Sequence, residues 1–247
     1  MSRYHTAPMS DHQPTTHPES ENHPEPTDSR ANTRETWASL YTLLAEGLKH
    51  PDERLYRDVE TGRFAAELAR LTESLSVSLP GGPGSPNTTP DGRAAFDREY
   101  IALFEGLQVP YAPLVESVYR PWHEGTTSEG LLLGPPAAEM QSRYDAAGLS
   151  VPPAYQPDHL ALLLEYAAAL LRAGEQTAYL SFLDRHFDWL PALRQVTCLA
   201  AADIPFHNYC VIAVCETVAA ARSRAELTPP SPDSIEEMID RVTTRVE

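Results

Sequence analysis

Apolar residues in this chain recur at the three- and four-residue spacing of one helical face, and runs alternating in the strand manner are absent. Trp37, Leu40, Tyr41, Leu44 and Leu48 form the first such face, with Asn32-x-x-Glu35 before it as a capping box and His50-Pro51 as its stop. A short helical piece near Leu55 leads to a second face, Phe64, Leu68, Leu71 and Leu75, which ends before Pro80. Residues 80–92, PGGPGSPNTTPDG, read as a loop because Pro and Gly interrupt regular hydrogen bonding. Phe96, Tyr100, Leu103 and Phe104 then share a face that Gly106 closes in the left-handed region. Helices are predicted again over 137–148 and from Pro157 to Arg172, the latter with Leu160, Leu163, Leu164, Ala167 and Leu171 inward and Gly174 as its cap. Three later faces follow: Tyr179, Phe182 and Leu183; Leu193, Val196 and Leu199; and Phe206, Tyr209, Cys210, Ala213 and Val214. The fold class is therefore all-α, a globular multi-helix bundle, since no fixed-period repeat is present to build a solenoid.

Three segments stand outside this pattern. Residues 1–32 are rich in Pro, Ser, Thr, Glu and His and lack periodicity, so a disordered tail is expected before a helical domain over 33–222. Residues 108–136, with prolines at 110, 113, 121, 135 and 136, form a long connection between two helical groups, and loops of such length tend to be functional. Residues 223–247 are a Pro/Ser linker and a final amphipathic helix, with Ser231 as cap, Pro232 in the first turn, and Ile235, Met238, Ile239, Val242 and Val246 on one face.

Composition narrows the function. The net charge is −16, from 35 acidic and 19 basic residues, which opposes binding to phosphate backbones and anionic membranes. Only Lys49 is lysine and the other basic residues are arginine, a bias that with the acidic surplus suits a salt-rich cytoplasm. No apolar stretch approaches the roughly 20 residues that span a bilayer. The start, MSRYHTAPMSDHQ, lacks the basic and apolar regions of a secretory signal, so a cytoplasmic location is expected. Cys198, Cys210 and Cys215 contain no CxxC pair and read as buried free thiols. Four histidines in the tail, His5, His12, His17 and His23, are irregularly spaced and read as compositional. No bound metal or organic cofactor is expected.

Three segments carry a resemblance: Tyr100-Ile101-Ala102-Leu103-Phe104-Glu105-Gly106, then Pro113-Leu114-Val115-Glu116-Ser117-Val118-Tyr119, then Gln156-Pro157-Asp158-His159 leading into Leu163-Leu164-Glu165-Tyr166. In order and spacing they resemble the TorD/DmsD/NarJ family of redox-enzyme maturation chaperones. Trp189-Leu190-Pro191 and Pro205-Phe206-x-x-Tyr209 look like that family's terminal helices, so the resemblance spans about residues 34–220. It implies an all-helical, non-catalytic chaperone of the cytoplasm. Its partner would be the apo catalytic subunit of a molybdopterin oxidoreductase, of dimethyl sulfoxide, trimethylamine N-oxide or nitrate reductase type. That subunit would be bound at its twin-arginine leader or a terminal segment and held from export until the molybdopterin is inserted. A homodimer is left open. Two departures bear on the client: Gln156 stands where Glu is frequent, and Leu114 and Val115 follow Pro113 where DmsD-like members carry Trp.

The client-binding candidates are Tyr100, Leu103, Phe104, Pro113, Glu116, Ser117, Tyr119, Trp122, Pro157, Asp158, His159 and Glu165. Each has a plainer reading. Tyr100, Leu103 and Phe104 suit a core, and Ser117 suits a turn cap. Asp158 suits the positive end of a helix begun at Pro157, and His159 a satisfied structural histidine. Against these, Asp158, Glu116 and Glu165 are carboxylates able to meet a client arginine, and Trp122 could offer it an aromatic face. As charged groups on a loop or first helical turn, Glu116 and Asp158 are expected to be solvated. The alternative from another class is a metal-dependent hydrolase using Asp158 and His159, but the adjacent pair lacks the spacing that puts two ligands on one helix face. Phosphate-binding loops and a nucleophile elbow are absent from the sequence. A structural interaction module without a client enzyme is the third reading.

Overall fold

The computed structural model describes residues 26–80, 92–106, 111–120, 133–200 and 205–243. They form helices joined by short turns, with no strand among the described residues and a single isolated antiparallel bridge, Val115 to His159. The all-α expectation holds.

The centre is a pair of helices, α1 (Pro26–Leu48) and α7 (Leu160–Ala173), which make the most extensive helix–helix contact of the fold. Their sequences explain it: α1 buries Trp37, Ala38, Leu40, Tyr41, Leu44, Ala45 and Leu48, and α7 buries residues on nearly all sides. A helix apolar all round has to be enclosed by others. Helix α3 (Arg63–Ser74) packs on α1 and carries α2 (Glu53–Glu60), which meets α4 (Arg93–Phe104); α8 (Gln176–His186) packs on α7, and α6 (Pro135–Ala146) and α9 (Leu190–Ala200) complete the bundle. The 20-residue α10 (Pro205–Arg224) lies against α1, α9, α4 and α8.

Several boundaries differ from the expected ones. Helix α1 is already running at Pro26, and Asn32, expected as its cap, is interior: its carbonyl accepts the Thr36 hydroxyl at 2.9 Å. Pro26 supplies the start, because a proline in the first turn loses no hydrogen bond. The same logic starts α6 at Pro135, two residues before the expected Ala137. Among its described residues the long Pro-rich connection contains one helical turn, α5 (Glu116–Tyr119). The final helix α11 (Pro232–Thr243) carries the expected Ser231 cap, whose Oγ accepts the Ser234 N–H at 3.2 Å. It packs on α9 and α5, and Arg241 donates to the Tyr119 carbonyl at 3.0 Å. Of the three cysteines Cys210 and Cys215 are buried, but Cys198 is exposed, because α9 turns that face to solvent.

At Gly47, α1 comes close to α3 and α10. A Cβ there would lie 2.9 Å from the Cys210 Sγ of α10 and 3.0 Å from the Phe64 ring of α3. Alanine normally favours a helix over glycine by about 1 kcal/mol, but here the added carbon must displace two buried side chains. We expect Gly47→Ala to destabilise the protein by about 1–3 kcal/mol in urea denaturation. A stabilised variant would mean that α1 and α10 separate freely.

Candidate functional site

The three motif segments meet in space. Tyr100, Leu103 and Phe104 form the buried face of α4, where the Tyr100 hydroxyl donates to the Leu48 carbonyl at 3.1 Å. Gly106, in the left-handed region with φ 79°, turns the chain away from α4. The Ala112 N–H donates back to the Leu103 carbonyl at 2.7 Å, so the connection begins anchored to the end of α4. Residues 112–119 are then buried one after another.

Extended backbone joins this segment to the entry of α7. The Leu160 N–H donates to the Leu114 carbonyl at 2.8 Å and the Glu116 N–H to the Asp158 carbonyl at 3.2 Å. This pairing holds His159 at φ −68°, ψ 133°, so α7 begins at Leu160 rather than at the expected Pro157. Asp158 therefore precedes the helix. His159 is its N-cap, with Nδ1 accepting the Ala161 N–H at 3.2 Å. Pro157 is half-buried at the rim.

Asp158 and Glu116 are not solvated as expected; they are 0% and 1% exposed. The reason is the backbone pairing, which carries both side chains inward. Asp158 Oδ2 accepts the Ser117 N–H at 2.7 Å, capping the turn of α5 from outside it. Burial pushes the Asp158 carboxyl above its ordinary range, opposed by the hydrogen bonds from Ser117. Glu116 is pushed upward by burial too, opposed by His186 and Arg120. Its Oε2 lies 2.9 Å from His186 Nδ1 of α8 and its Oε1 2.7 Å from Arg120 Nε. Arg120 continues to Asp188 and to the Arg185 carbonyl. Across α6, Glu139 collects Arg143 at 2.8 Å and Arg185 at 2.7 Å, and lies 3.5 Å from His186 Nε2. These arginines hold the Glu139 carboxyl below its ordinary value against the opposing effect of burial.

Tyr119 is fully buried, its ring 4.9 Å from that of Trp189, whose indole N–H donates to the His186 carbonyl at 2.8 Å. Ser117 meets the Asp158 carboxylate with both its side chain and its N–H, and His186 Nε2 lies beside Glu139. The buried Tyr119 and Tyr144 hydroxyls have no hydrogen-bond partner of good geometry, whereas buried polar atoms are usually satisfied. Glu165 is half-exposed on α7 and bound at 2.5 Å by Lys49, which also pairs with Glu46 at 2.8 Å.

The structure thus brings together ten of the twelve candidates as two linked layers: the buried face of α4 behind, and the 113–119 segment with the α7 entry in front. Glu165 stands beside them, and Trp122 falls outside the described residues. Sequence reasoning missed His186, Arg120, Asp188 and Glu139. Arg120 carried a signal, standing four residues after Glu116 where a helical turn pairs them. His186 carried none, because it reaches Glu116 only through the packing of α8. Among the described residues no group of three or more His, Cys, Asp or Glu side chains could hold a metal ion. No described helix is long and apolar enough to cross a membrane.

Fold and site together define a class: an all-helical protein in which a buried polar junction clamps the 112–119 segment onto the bundle. Comparison with protein families is more specific. Residues 60–196, more than half of the chain, match the family described as nitrate reductase delta subunit, and the chain belongs to that family, of NarJ/TorD type. Among solved structures, a protein of Archaeoglobus fulgidus assigned to redox enzyme maturation is similar at 17% identity and a TM-score of 0.44, over 77% of this chain and 93% of the other. Comparison with curated proteins gives no match.

Two measurements probe the junction. Truncating Glu116 leaves Arg120 and His186 facing a void, and removing one partner of a buried ionic group costs about 3–5 kcal/mol. We expect Glu116→Ala to lose that much in denaturant titration and Glu116→Gln, which keeps the hydrogen-bonding shape, to lose less. An unchanged midpoint for the alanine variant would show that the clamp is not structural.

His207, behind α4, is buried against Phe96, with ring centroids 4.8 Å apart, and burial lowers its pKa to about 4. Its folded pKa is depressed below the ordinary 6.5, so the unfolded chain binds the proton first as pH falls. Stability supplied by neutral His207 is present above pH 6.5 and is lost as pH falls toward 4. We expect the melting temperature of His207→Gln to fall less steeply than that of the unaltered chain over this interval. Parallel curves would place the proton uptake elsewhere.

Proposed function

We propose that this chain is a cytoplasmic chaperone that binds the apo catalytic subunit of a molybdopterin oxidoreductase, through its twin-arginine leader or a terminal segment, and assists cofactor insertion before export or assembly. Family membership and the ordered motif segments support the reading. The observation that carries it is the junction of the 113–119 segment with the entry of α7. That segment is held down by the Asp158 carboxylate and by the pairing of Glu116 with Arg120 and His186, where a client segment could exchange for it.

The burial of Glu116, Ser117, Asp158 and His159 divides the labour within the candidate set. These four set the position of the segment, and direct contact with a client arginine falls to the accessible rim, Pro157 and Glu165. Tyr100, Leu103, Phe104, Pro113 and Tyr119 form the floor on which the segment rests. Against the hydrolase alternative stand the backbone bonds of the pair: His159 Nδ1 accepts the Ala161 N–H as a helix cap and Asp158 Oδ2 accepts the Ser117 N–H.

The test is calorimetric titration of the full chain with the twin-arginine leader peptide of a molybdopterin oxidoreductase from the same genome, together with co-purification of that subunit. We expect saturable binding, weakened by about 1–2 kcal/mol in Glu165→Gln through loss of a charge-assisted bond. The melting temperature should change little, since the Lys49 pair is partly solvated. If neither leader nor subunit binds, the client reading fails; if binding is unaffected by Glu165→Gln, the rim assignment fails while the client stands.

A further inference from the structure

At the ends of α7 and α8 opposite to those that meet the junction, α1, α7, α8 and α10 line a cavity of about 540 Å³. Its walls are Trp37, Leu171, Leu180 and Ala221, and three arginines, Arg30, Arg34 and Arg224, stand around it. In a chain with 35 acidic residues an arginine normally finds a carboxylate, and most of the described arginines do. Arg30 and Arg34 have no carboxylate partner among the described residues. The neighbouring Glu35 is turned to Arg172 of α7 at 3.2 Å and does not neutralise them. Arg224 donates to the Leu75 and Ser76 carbonyls and lies 5.1 Å over the Trp37 ring, which fixes its guanidinium at the cavity wall.

A second feature points the same way. Helix α8 begins at the cavity with Gln176, and its N-cap Glu175 makes no side-chain hydrogen bond to the first turn. The Gln176 N–H itself donates to the Gly174 carbonyl at 2.9 Å, so what α8 brings to the cavity edge is the positive end of its dipole. The Tyr179 hydroxyl, also at the cavity, is paired with that of Tyr41 at 2.8 Å. The cavity is thus apolar below and cationic at the rim, inside a protein whose net charge is −16.

We propose that this cavity binds a small organic anion, with a phosphate or carboxylate group held by Arg30 and Arg34 and an apolar or aromatic body lying against Trp37, Leu171 and Leu180. The volume falls in the range of small-molecule sites, and guanidinium forks match the paired oxygens of phosphate and carboxylate. Its position is separate from the Glu116–Asp158 junction, so the inference does not rest on the client reading.

The experiment uses the full chain and the fluorescent probe 4-methylumbelliferyl phosphate, with neutral 4-methylumbelliferone as its uncharged counterpart. We expect saturable binding of the phosphate at one site per chain below about 1 mM, and at least about tenfold weaker binding of the neutral compound. The double variant Arg30→Gln, Arg34→Gln should weaken phosphate binding by about tenfold or more with an unchanged melting temperature, since neither side chain is tied into the fold. Added salt should weaken the unaltered site more steeply than the variant's residual binding, where Arg224 alone remains. The proposal is overturned by an absence of saturable binding, by equal binding to the double variant, or by a neutral compound that binds as well as the phosphate. The last result would mark an apolar surface only.

Discussion

A carboxylate taken out of water must be met by hydrogen-bond donors or by charge, and this fold turns on two such groups set side by side. Asp158 caps the turn at Ser117 from the entry of α7, while Glu116, one residue earlier in that turn, faces His186 of α8 and Arg120. Through these bonds and the backbone pairing, residues 112–119 acquire a fixed place against α4, α7 and α8. Further contacts build outward from it: Tyr119 rests on Trp189, Trp189 reaches back to the His186 carbonyl, and Arg241 brings α11 onto the Tyr119 carbonyl.

Such a clamp is a costly way to hold a loop. An apolar contact of equal size would stabilise as well without the desolvation that raises the proton affinity of both carboxyls. What the polar clamp adds is geometry and exchangeability. Hydrogen bonds fix one register of the 113–119 segment against α7, and they can be traded for equivalent bonds to another chain, as packed aliphatic groups cannot. That property suits a protein whose proposed task is to hold a client segment for a time and then release it.

Charge is distributed with similar economy. The acidic surplus is mostly solvated or paired along helices, as at Arg57 with Glu53 and Arg143 with Glu139. Buried cations serve as connectors: Arg222 donates to the Leu183 and Asp184 carbonyls at the end of α8 and to the Thr228 carbonyl of the linker, so one guanidinium ties three pieces of chain. Arg30 and Arg34 are outside both patterns, and this is why the cavity beside them stands out physically.

The helices were legible in the sequence because helical periodicity is local: Leu160, Leu163, Leu164, Ala167 and Leu171 declare a buried face whatever surrounds them, and Gly174 with φ 77° closes it as its position suggested. The ordered motifs likewise marked residues that meet in space. Local signals failed where a residue's fate is set by a distant partner. Asn32 had the form of a cap but lies inside α1, and Pro157 had the form of a helix start, while pairing with Leu114 and Glu116 keeps the backbone extended to His159. Burial of Glu116 and Asp158 was invisible for the same reason, since charge alone argues for solvent, and only the tertiary structure supplies His186 from α8 and the Ser117 N–H across 41 residues of chain. Sequence by itself determined which faces are apolar, through spacing along one helix. The packing of those faces decided which polar groups are carried inward and with whom they pair, because that choice depends on contacts between residues far apart in the chain.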